Sequence, residues 1–301
     1  NFANLASTPY FRCYGFANPV VGEITGSNVL DNFIFAVYLF ALTVLGLFGL
    51  HKYHLLYMYR QYKRLPEPQA EEPDEWPEVA VQLPIFNEKY VVKRLLKSVA
   101  CMDYPKEKLH IQLLDDSNDS TVRLSERLVS PLQKQGYRID HVRREDRSGF
   151  KAGALAYGLN KTSAEFVAVF DADFVPQPDF LRQTIPHLIQ PGIGMVQTRW
   201  GHINRNYSLL TKLQGIFLDA HFIIEHLARN RSGRFFNFNG TAGVWRKQAI
   251  IDAGGWQHDT LTEDLDLSYR AQIEGWKFRY LPNVVSPAEL PAEMNAYKGQ
   301  Q

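Results

Sequence analysis

The longest apolar stretch of the chain lies near its N-terminal end. Residues 33–50 contain no charged side chain, and Val29 and Leu30 extend the stretch. This length reaches the lower limit for a helix that crosses a bilayer. The alternative is a buried core helix, which the pattern disfavours because core helices of soluble proteins seldom continue this far without a charge. We therefore predict one transmembrane helix over residues 29–52.

Basic and aromatic residues follow this predicted helix rather than precede it. Because cytoplasmic flanks carry the excess of Lys and Arg, the C-terminal side is predicted to be cytoplasmic, which makes the chain an integral membrane protein. The basic residues are Lys52, Arg60, Lys63 and Arg64. Residues 53–78 are interpreted as a juxtamembrane segment that ends in a linker rich in proline and acids, since proline disfavours helix and sheet. Residues 1–28 show no convincing periodicity.

Beyond the linker, apolar runs and helical periodicities alternate along the chain. Strands are predicted at residues 79–83, 109–114, 138–142, 165–170 and 193–198. Helices are predicted at residues 91–99, capped by Asn87, at 120–134, at 150–160 and after Pro178. Regular alternation indicates an α/β fold whose mostly parallel sheet carries helices on both faces. We assign this domain to residues 79–301.

Composition narrows the classes of function. The chain has 301 residues, 45% of them apolar, and a formal net charge of +1, so neither a nucleic-acid patch nor an acidic tail dominates. Its two cysteines are far apart and are interpreted as plain thiols. The glycine patterns of a P-loop and of a dinucleotide-binding turn are both absent from the sequence. Nucleotide hydrolysis by a P-loop and hydride transfer are therefore disfavoured.

Polar side chains follow three of the predicted strands at the point where each strand ends. The first strand is followed by Pro84 and Glu88, the second by Asp115 and Asp116, and the fourth by an Asp-x-Asp pair. Open α/β sheets bind ligands at the carboxyl ends of their strands. The pair Asp171 and Asp173 could bind Mg²⁺ or Mn²⁺, although most such pairs are solvated turns or caps.

Three further motifs each allow a structural and a functional interpretation. Asp116 could contact a nucleotide, while its neighbours at 117–119 suit helix capping. Lys151 lies between two glycines at a helix start, where backbone N–H groups attract phosphate. Asp264 could abstract a proton, or it could be one of several acids in the first turn of a helix capped by Thr262. The aromatic residues after position 230 could stack on sugar rings or fill a core.

Taken in order, these motifs resemble the family 2 processive glycosyltransferases, the group of cellulose, chitin and hyaluronan synthases. The similarity is greatest to the cellulose synthase-like A and C branch, which makes mannan, glucomannan or glucan backbones. The matching segments are 84–88 (PIFNE), 114–117 (LDDS), 151–155 (KAGAL), 171–173 (DAD), 196–200 (VQTRW), 238–241 (FNGT) and 262–264 (TED).

The resemblance implies a GT-A type fold and an inverting transfer from a nucleotide sugar. It implies that Glu88 and Asp116 hold the nucleoside, within a donor site that includes Pro84 and Asp115. It also implies that Lys151 lies near the diphosphate, that Asp171 and Asp173 hold the metal, and that Asp264 is the general base. The acceptor site would comprise Asn239, Gly240, Thr241, Glu263 and Trp200. Either UDP-glucose or GDP-mannose could be the donor.

Two alternatives remain open at this point. One is a non-processive enzyme that charges a polyprenyl or dolichyl phosphate carrier, and the other is an inactive nucleotide-binding scaffold of a synthase complex. In the family, a Gln-x-x-Arg-Trp motif and further membrane helices come next. This sequence ends at Gln300 and Gln301, where that motif would begin. We therefore expect a truncated chain.

Overall fold

The structure is a computed structural model that describes residues 29–260 and 262–300. The chain divides into two units, Asn1–Tyr53 and His54–Gln301. The predicted N-terminal segment, residues 1–28, lies outside the described residues.

Helix α1 is long and apolar, and it spans Val29–Tyr62. Within the described residues it is the one helix whose length and composition would allow it to cross a membrane; its most apolar window has a mean hydropathy of 2.4 and no buried residues. The helix continues past the predicted end at residue 52. In the second unit its last turns contribute Leu55 and Met58, which are buried against Ala228.

The second unit alternates strands and helices, as the periodicity predicts. Its strands are β1 (Val79–Ile85), β2 (Leu109–Asp115), β3 (Arg138–Val142), β4 (Phe166–Val169), β5 (Ile193–His202), β6 (Gly243–Arg246) and β7 (Lys277–Ala288). Its helices are α2 (Val92–Ala100), α3 (Thr121–Lys134), α4 (Phe150–Leu159), α5 (Phe180–Leu188), α6 (Leu209–Asp219), α7 (Leu227–Arg231), α8 (Lys247–Asp252), α9 (Glu263–Ile273) and α10 (Met294–Gln300).

The strands of the described residues form one seven-stranded sheet in the order β3-β2-β1-β4-β6-β5-β7. Strands β1 to β4 pair in parallel, and so do β5 and β7. Strand β6 is antiparallel to both of its neighbours, β4 and β5. The predicted mostly parallel α/β sheet is therefore confirmed. Strand β6 was not predicted, because four residues are too short a run to show a pattern, and its direction depends on pairing with β4 and β5.

Both faces of the sheet are buried. On one face, Val81 and Leu83 of β1 pack with helices α2 and α5, and on the other Ala80 packs with α4 and Trp245. A parallel sheet covered on both sides requires such continuous apolar strands. Trp245, Phe236 and Phe238 are almost completely buried in the second cluster. For these residues of the aromatic-rich region, the core interpretation is the one that the structure supports.

The start of helix α2 differs from the prediction. Its N-cap is Val91 without a side-chain bond, and Asn87 lies upstream in a left-handed conformation with φ 59°. The backbone N–H of Asn87 donates to Ser117 Oγ over 2.8 Å, and its side chain pairs with Asn118. Asn87 was therefore wrongly predicted as a cap. It joins the loop after β1 to the loop after β2, because both strands end at the same edge of the sheet.

Candidate active site

A cleft of about 690 Å³ opens at the carboxyl ends of β1, β2 and β4. This is the edge at which parallel α/β sheets bind ligands. Most of the residues predicted to bind the donor or the metal line this cleft, namely Pro84, Glu88, Asp116, Lys151, Asp171 and Asp173. The sheet brings them together because their strands are neighbours, although the residues are far apart along the chain.

Lys151 and Asp171 form an ion pair at the floor of the cleft. Lys151 lies in the first turn of α4, and its Nζ is 2.5 Å from Asp171 Oδ1. Burial alone would lower the pKa of Lys151, but the Asp171 carboxylate outweighs it and raises that pKa. The side chain therefore stays cationic, and it presents a fixed positive charge to any anion that enters the cleft.

The carboxylates of the cleft repel one another. Burial, followed by the charge of Asp171, raises the pKa of Asp173 to about 7, and Glu88 adds to the effect. Partial burial and Asp171 also raise the pKa of Glu88. Such a surplus of negative charge on oxygen ligands fits a hard divalent cation. In the described part of the chain no group of three or more His, Cys, Asp or Glu side chains could hold a metal, so the pair Asp171 and Asp173 supplies at most two of the ligands by itself.

Asp116 is held by an arginine that the sequence analysis did not identify. Arg144 donates from Nε to Asp116 Oδ1 over 3.0 Å and from Nη2 to Oδ2 over 2.5 Å. The same guanidinium donates to the backbone carbonyls of Ser148 and Phe150. Such a bidentate pair fixes the carboxylate plane. The only signal in the sequence was the run of basic residues between β3 and α4.

Asp115 lies behind the cleft and does not line it. Its side chain is completely buried, with His141 Nε2 at 2.8 Å from Oδ2 and the Ser117 N–H donating to Oδ1 over 2.9 Å. Burial favours the protonated form, but the hydrogen bonds from His141 and Ser117 lower the pKa of Asp115 below its usual value. The structure therefore places Asp115 where it shapes the loop that carries Asp116.

The predicted acceptor loop is attached to the strand that ends in the Asp-x-Asp pair. The backbone N–H of Asp171 donates to Thr241 Oγ1 over 2.9 Å. Buried Gln197 on β5 donates to the carbonyls of Thr241 and Ala242 and accepts from the Asn239 N–H over 3.1 Å. Gln197 belongs to the 196–200 motif but was not predicted as a site residue. Its amide positions the loop.

Asp264 and Lys151 both lie against Gly240. A Cβ atom on Gly240 would be 3.2 Å from Asp264 Oδ2 and 3.4 Å from Lys151 Nζ. Asp264 is in the first turn of α9, next to Glu263. Burial raises the pKa of Asp264, while a hydrogen bond from the Leu265 N–H opposes part of that effect. A half-buried carboxylate with a raised pKa beside an open cleft is suited to accept a proton.

Residues 77–301 match a protein family described as glycosyltransferase-like family 2. This match covers most of the chain. The chain belongs to glycosyltransferase family 2. This match confirms the predicted family. It also confirms the predicted class of enzyme, a glycosyltransferase.

Plant proteins are among the curated relatives of this family 2 chain. A probable glucomannan 4-beta-mannosyltransferase 7 of Oryza sativa subsp. japonica is 44% identical over 232 residues, which is 75% of this chain and 40% of the relative. Glucomannan 4-beta-mannosyltransferase 2 of Arabidopsis thaliana is 43% identical over 249 residues, which is 80% of this chain and 47% of the relative. The chain thus spans less than half the length of these relatives.

Solved structures with the same fold are more distant in sequence. A mannosyltransferase from Pyrobaculum calidifontis, solved in complex with GDP-Man and Mn²⁺, superposes with a TM-score of 0.68 at 21% identity over 84% of this chain and 69% of its own. The S. aureus protein TarS, in complex with UDP-GlcNAc, gives a TM-score of 0.54 at 15% identity over 73% of this chain and 60% of its own. These matches confirm the predicted GT-A type fold.

Two more charged residues of this family 2 domain, Arg147 and Glu289, line the 690 Å³ cleft, which we call the donor cleft after the ligand predicted for it. The Arg147 guanidinium lies 3.4 Å from the centroid of the Phe86 ring. Glu289 pairs with Arg94 at 2.7 Å, and its N–H donates to the Asp173 carbonyl over 3.2 Å. The sequence pattern could not identify Glu289, because it comes from the segment after β7 and reaches the cleft only through the fold.

Trp200 lies in a smaller cleft of about 300 Å³ next to the donor cleft. Its indole packs against Phe174 and Phe222 at centroid distances of 5.2 and 5.0 Å. Asp173 lines both clefts, so the two spaces adjoin at this carboxylate. The Asn239 side chain instead bonds to His221 and His226. These two hydrogen bonds hold the predicted acceptor loop in place.

Gly240→Ala should impair both folding stability and sugar transfer. At φ 79° an alanine costs about 1–2 kcal/mol. Its methyl would also press on Asp264, and we expect kcat to fall roughly tenfold because a small displacement of the predicted general base is costly. Thermal unfolding and initial rates measure the two effects.

Gly136→Ala is the matched control, because Gly136 has φ 84° with no atom within 4 Å of the added Cβ. It should lower the melting temperature to a similar degree and leave kcat unchanged. Equal kcat values for the two variants would show that the close approach of residue 240 to Asp264 does not matter for catalysis.

Proposed function

We propose that the chain carries the catalytic domain of a membrane-bound, inverting glycosyltransferase that moves a hexose from a nucleotide diphosphate sugar to a growing β-linked polysaccharide. GDP-mannose is the proposed donor. The observation that carries the proposal is the cleft in which Asp116, Lys151, Asp171 and Asp173 converge at the carboxyl edge of a family 2 sheet. The choice of mannose rests on the names of the plant relatives and on the GDP-Man bound by the archaeal structure.

The donor would occupy the cleft with its nucleoside towards β1 and β2. Glu88 and Asp116, whose carboxylate is held by Arg144, provide acceptors for ribose or base N–H and O–H groups. Pro84 and Ile85 supply an apolar wall for a planar base. At the other end, Lys151 would hold the diphosphate through its ammonium group, and Arg147 adds a second cation at the cleft.

Asp171 and Asp173 would hold a Mg²⁺ or Mn²⁺ ion, which when bound neutralises charge that develops on the leaving diphosphate. Both side chains lie in the lining of the cleft, and the Asp171 carboxylate already contacts the Lys151 ammonium. The hydrogen bond from the Asp171 N–H to Thr241 joins this end of β4 to the acceptor loop. It would therefore keep the donor and the acceptor in a fixed position relative to each other.

Asp264 would act as the general base. Its carboxylate would take the proton from an acceptor hydroxyl as that oxygen forms its bond to the anomeric carbon. The bond between that carbon and the diphosphate then breaks, and the diphosphate leaves with the electron pair. Attack from the side opposite the leaving group inverts the configuration. Gly240, Thr241 and Glu263 border this position, and Trp200 would stack on a sugar of the acceptor.

Residues 79–301 are proposed as the catalytic domain and α1 as its membrane anchor. The exposed apolar surface of α1 supports the anchor, because a long helix with no buried residue in its most apolar window needs an apolar surrounding. The basic residues that follow position 50 support a cytoplasmic location for the domain. Residues 53–78 would then be a juxtamembrane segment and linker.

A comparison of donors tests this proposal. Membranes that contain the chain would be supplied in turn with GDP-mannose, GDP-glucose, UDP-glucose and UDP-N-acetylglucosamine, each with Mn²⁺ or Mg²⁺. We expect incorporation of mannose into a glycan that a β-mannanase degrades. Binding of each donor to the purified chain, measured by calorimetry, separates recognition of the donor from catalysis.

Each other outcome has a defined meaning. Transfer of glucose from UDP-glucose would keep the enzyme class and overturn the choice of mannose. A product that partitions into organic solvent would identify a lipid-carrier transferase. Donor binding without transfer to any acceptor would indicate the inactive scaffold. Absence of donor binding would contradict the assignment of the cleft itself.

A further inference from the structure

The second unit contains another cleft of about 710 Å³ that shares no lining residue with the donor cleft. Its walls come from the linker after α1, from the segment after α7 and from the start of β7. Four cationic side chains line it, Arg231, Arg234, Lys277 and Arg279. We call this the basic cleft.

In the part of the chain that the structure describes, no carboxylate pairs with the cations of the basic cleft. No Asp or Glu lines it, and within the described residues none of its four cations forms an ion pair with a carboxylate. Burial lowers the pKa of Arg279, and the charge of Arg231 lowers it further. Two guanidinium groups that repel each other in a partly buried space are stabilised by an anion between them.

A buried donor in the basic cleft lacks a partner. Arg279 donates from Nη2 to Gln190 Oε1 over 3.2 Å, but its Nε is buried and has no hydrogen-bond acceptor among the described residues. Buried N–H groups of a guanidinium are normally satisfied, so Arg279 is left one acceptor short among the described residues. Because Arg279 lines the cleft, an oxyanion bound there would supply an acceptor to its guanidinium.

The frame around these cations is fixed by hydrogen bonds. Arg231 donates to the carbonyl of Leu65 over 3.0 Å and to that of Pro66, which holds the linker against the cleft. Asn230 donates to the Phe278 carbonyl over 2.9 Å. Gln272 accepts from the Phe236 N–H and donates to its carbonyl over 2.9 Å. The site is therefore largely formed before any ligand binds, which lowers the entropy cost of binding.

We propose that the basic cleft binds a phosphate group, either as free phosphate or as the head group of an anionic lipid. Guanidinium groups suit this ligand because their planar N–H pairs match two phosphate oxygens, and Lys277 adds a point charge. The bound anion would join β7, the segment after α7 and the linker that follows α1. This site is separate from the donor cleft and does not depend on the function proposed for that cleft.

Titration with inorganic phosphate at constant ionic strength tests the proposal. The purified chain in a neutral detergent should show a saturable rise in melting temperature. R234Q/K277Q removes two exposed cations that have no side-chain partner among the described residues, and it should weaken phosphate binding about tenfold. R127Q/K134Q on α3 makes the same change in net charge outside the basic cleft and should bind like the wild type.

A second series of melting-temperature measurements, in lipid nanodiscs, distinguishes the two sources of the phosphate group. If phosphatidylglycerol in phosphatidylcholine nanodiscs raises the melting temperature and abolishes the response to inorganic phosphate, the occupant is a lipid head group. If the response to phosphate persists there, the occupant is free phosphate. Equal phosphate affinity in R234Q/K277Q, R127Q/K134Q and the wild type would overturn the proposal, since any remaining binding would then belong to the donor cleft or to the general surface.

Discussion

Asp264→Asn should lower kcat for sugar transfer by roughly 10³-fold, the range expected when a general base is lost. Asparagine has nearly the same shape but cannot accept the proton of the acceptor hydroxyl. Asp264 does not line the donor cleft, so the dissociation constant of the donor should stay the same. Initial rates and calorimetry with GDP-mannose measure the two quantities.

Asp266→Asn provides the matched control on the same helix. Asp266 pairs with Arg270 at 2.6 Å, so its loss should cost little stability and no activity. If both variants kept wild-type rates, Asp264 would not be the base. If D264N also lost donor binding, its role would be to hold the donor rather than to accept a proton.

The pH profile gives a second test of the same residue. Burial raises the pKa of Asp264, so the protonated, inactive form should persist to a higher pH than for an ordinary aspartate. Transfer should therefore decline as the pH falls through this raised pKa and recover above it. The small remaining activity of D264N should lack this acidic limb. An unchanged limb in the variant would assign the titration to another group.

Asp173→Asn should lower kcat/KM by roughly 10³-fold, about 4 kcal/mol of transition-state stabilisation. Asp173 lies among Asp171 and Glu88, where a cation would offset the clustered negative charge. The variant keeps one oxygen ligand but loses the charge that attracts the cation. Initial rates across a Mn²⁺ titration should show that the variant needs far more Mn²⁺, or fails to saturate.

Chelation separates this effect from damage to the fold. Removing the divalent ion should abolish transfer in the wild type, and added Mn²⁺ or Mg²⁺ should restore it. Without metal, D173N should melt at the same temperature as the wild type or higher, because one of three mutually repelling carboxylates is gone. Asp179→Asn, on an exposed side chain beyond the cleft, is the control and should leave the metal dependence unchanged. Full activity of D173N at low Mn²⁺ would contradict the assigned role.

The local pattern of apolar and polar residues was sufficient to predict most strands of the sheet. Strand β3 has the predicted bounds, and β1, β2 and the helices between them differ from the prediction by a few residues. The prediction succeeded because a buried parallel strand is a short apolar run, and because the apolar residues of each helix recur at helical spacing. The convergence of Asp116, Asp171 and Asp173 also followed from the sequence, because each stands just after the end of a strand and topology brings those positions to one edge. Lys151 was added to them only by the resemblance to the family.

The partners of these residues required the tertiary structure. Arg144 reaches Asp116, Gln197 holds the loop at 239–242, and Glu289 lines the donor cleft, yet each is distant in sequence from what it contacts. Sequence spacing carries no information about such contacts. The same holds for the reversed strand β6, whose direction depends on pairing with β4 and β5 rather than on its own four residues.

The sequence by itself determined the fold class, the family, and the edge of the sheet at which the cleft with the predicted site residues opens. The reason is that periodicity and motif order are local properties of the chain. Only the tertiary structure decided that Asp115 is buried behind the cleft, that Asp264 and Lys151 both lie against Gly240, and that four cations line the basic cleft. Burial and distance determine pKa values and ion pairs, and both arise only when distant segments pack together.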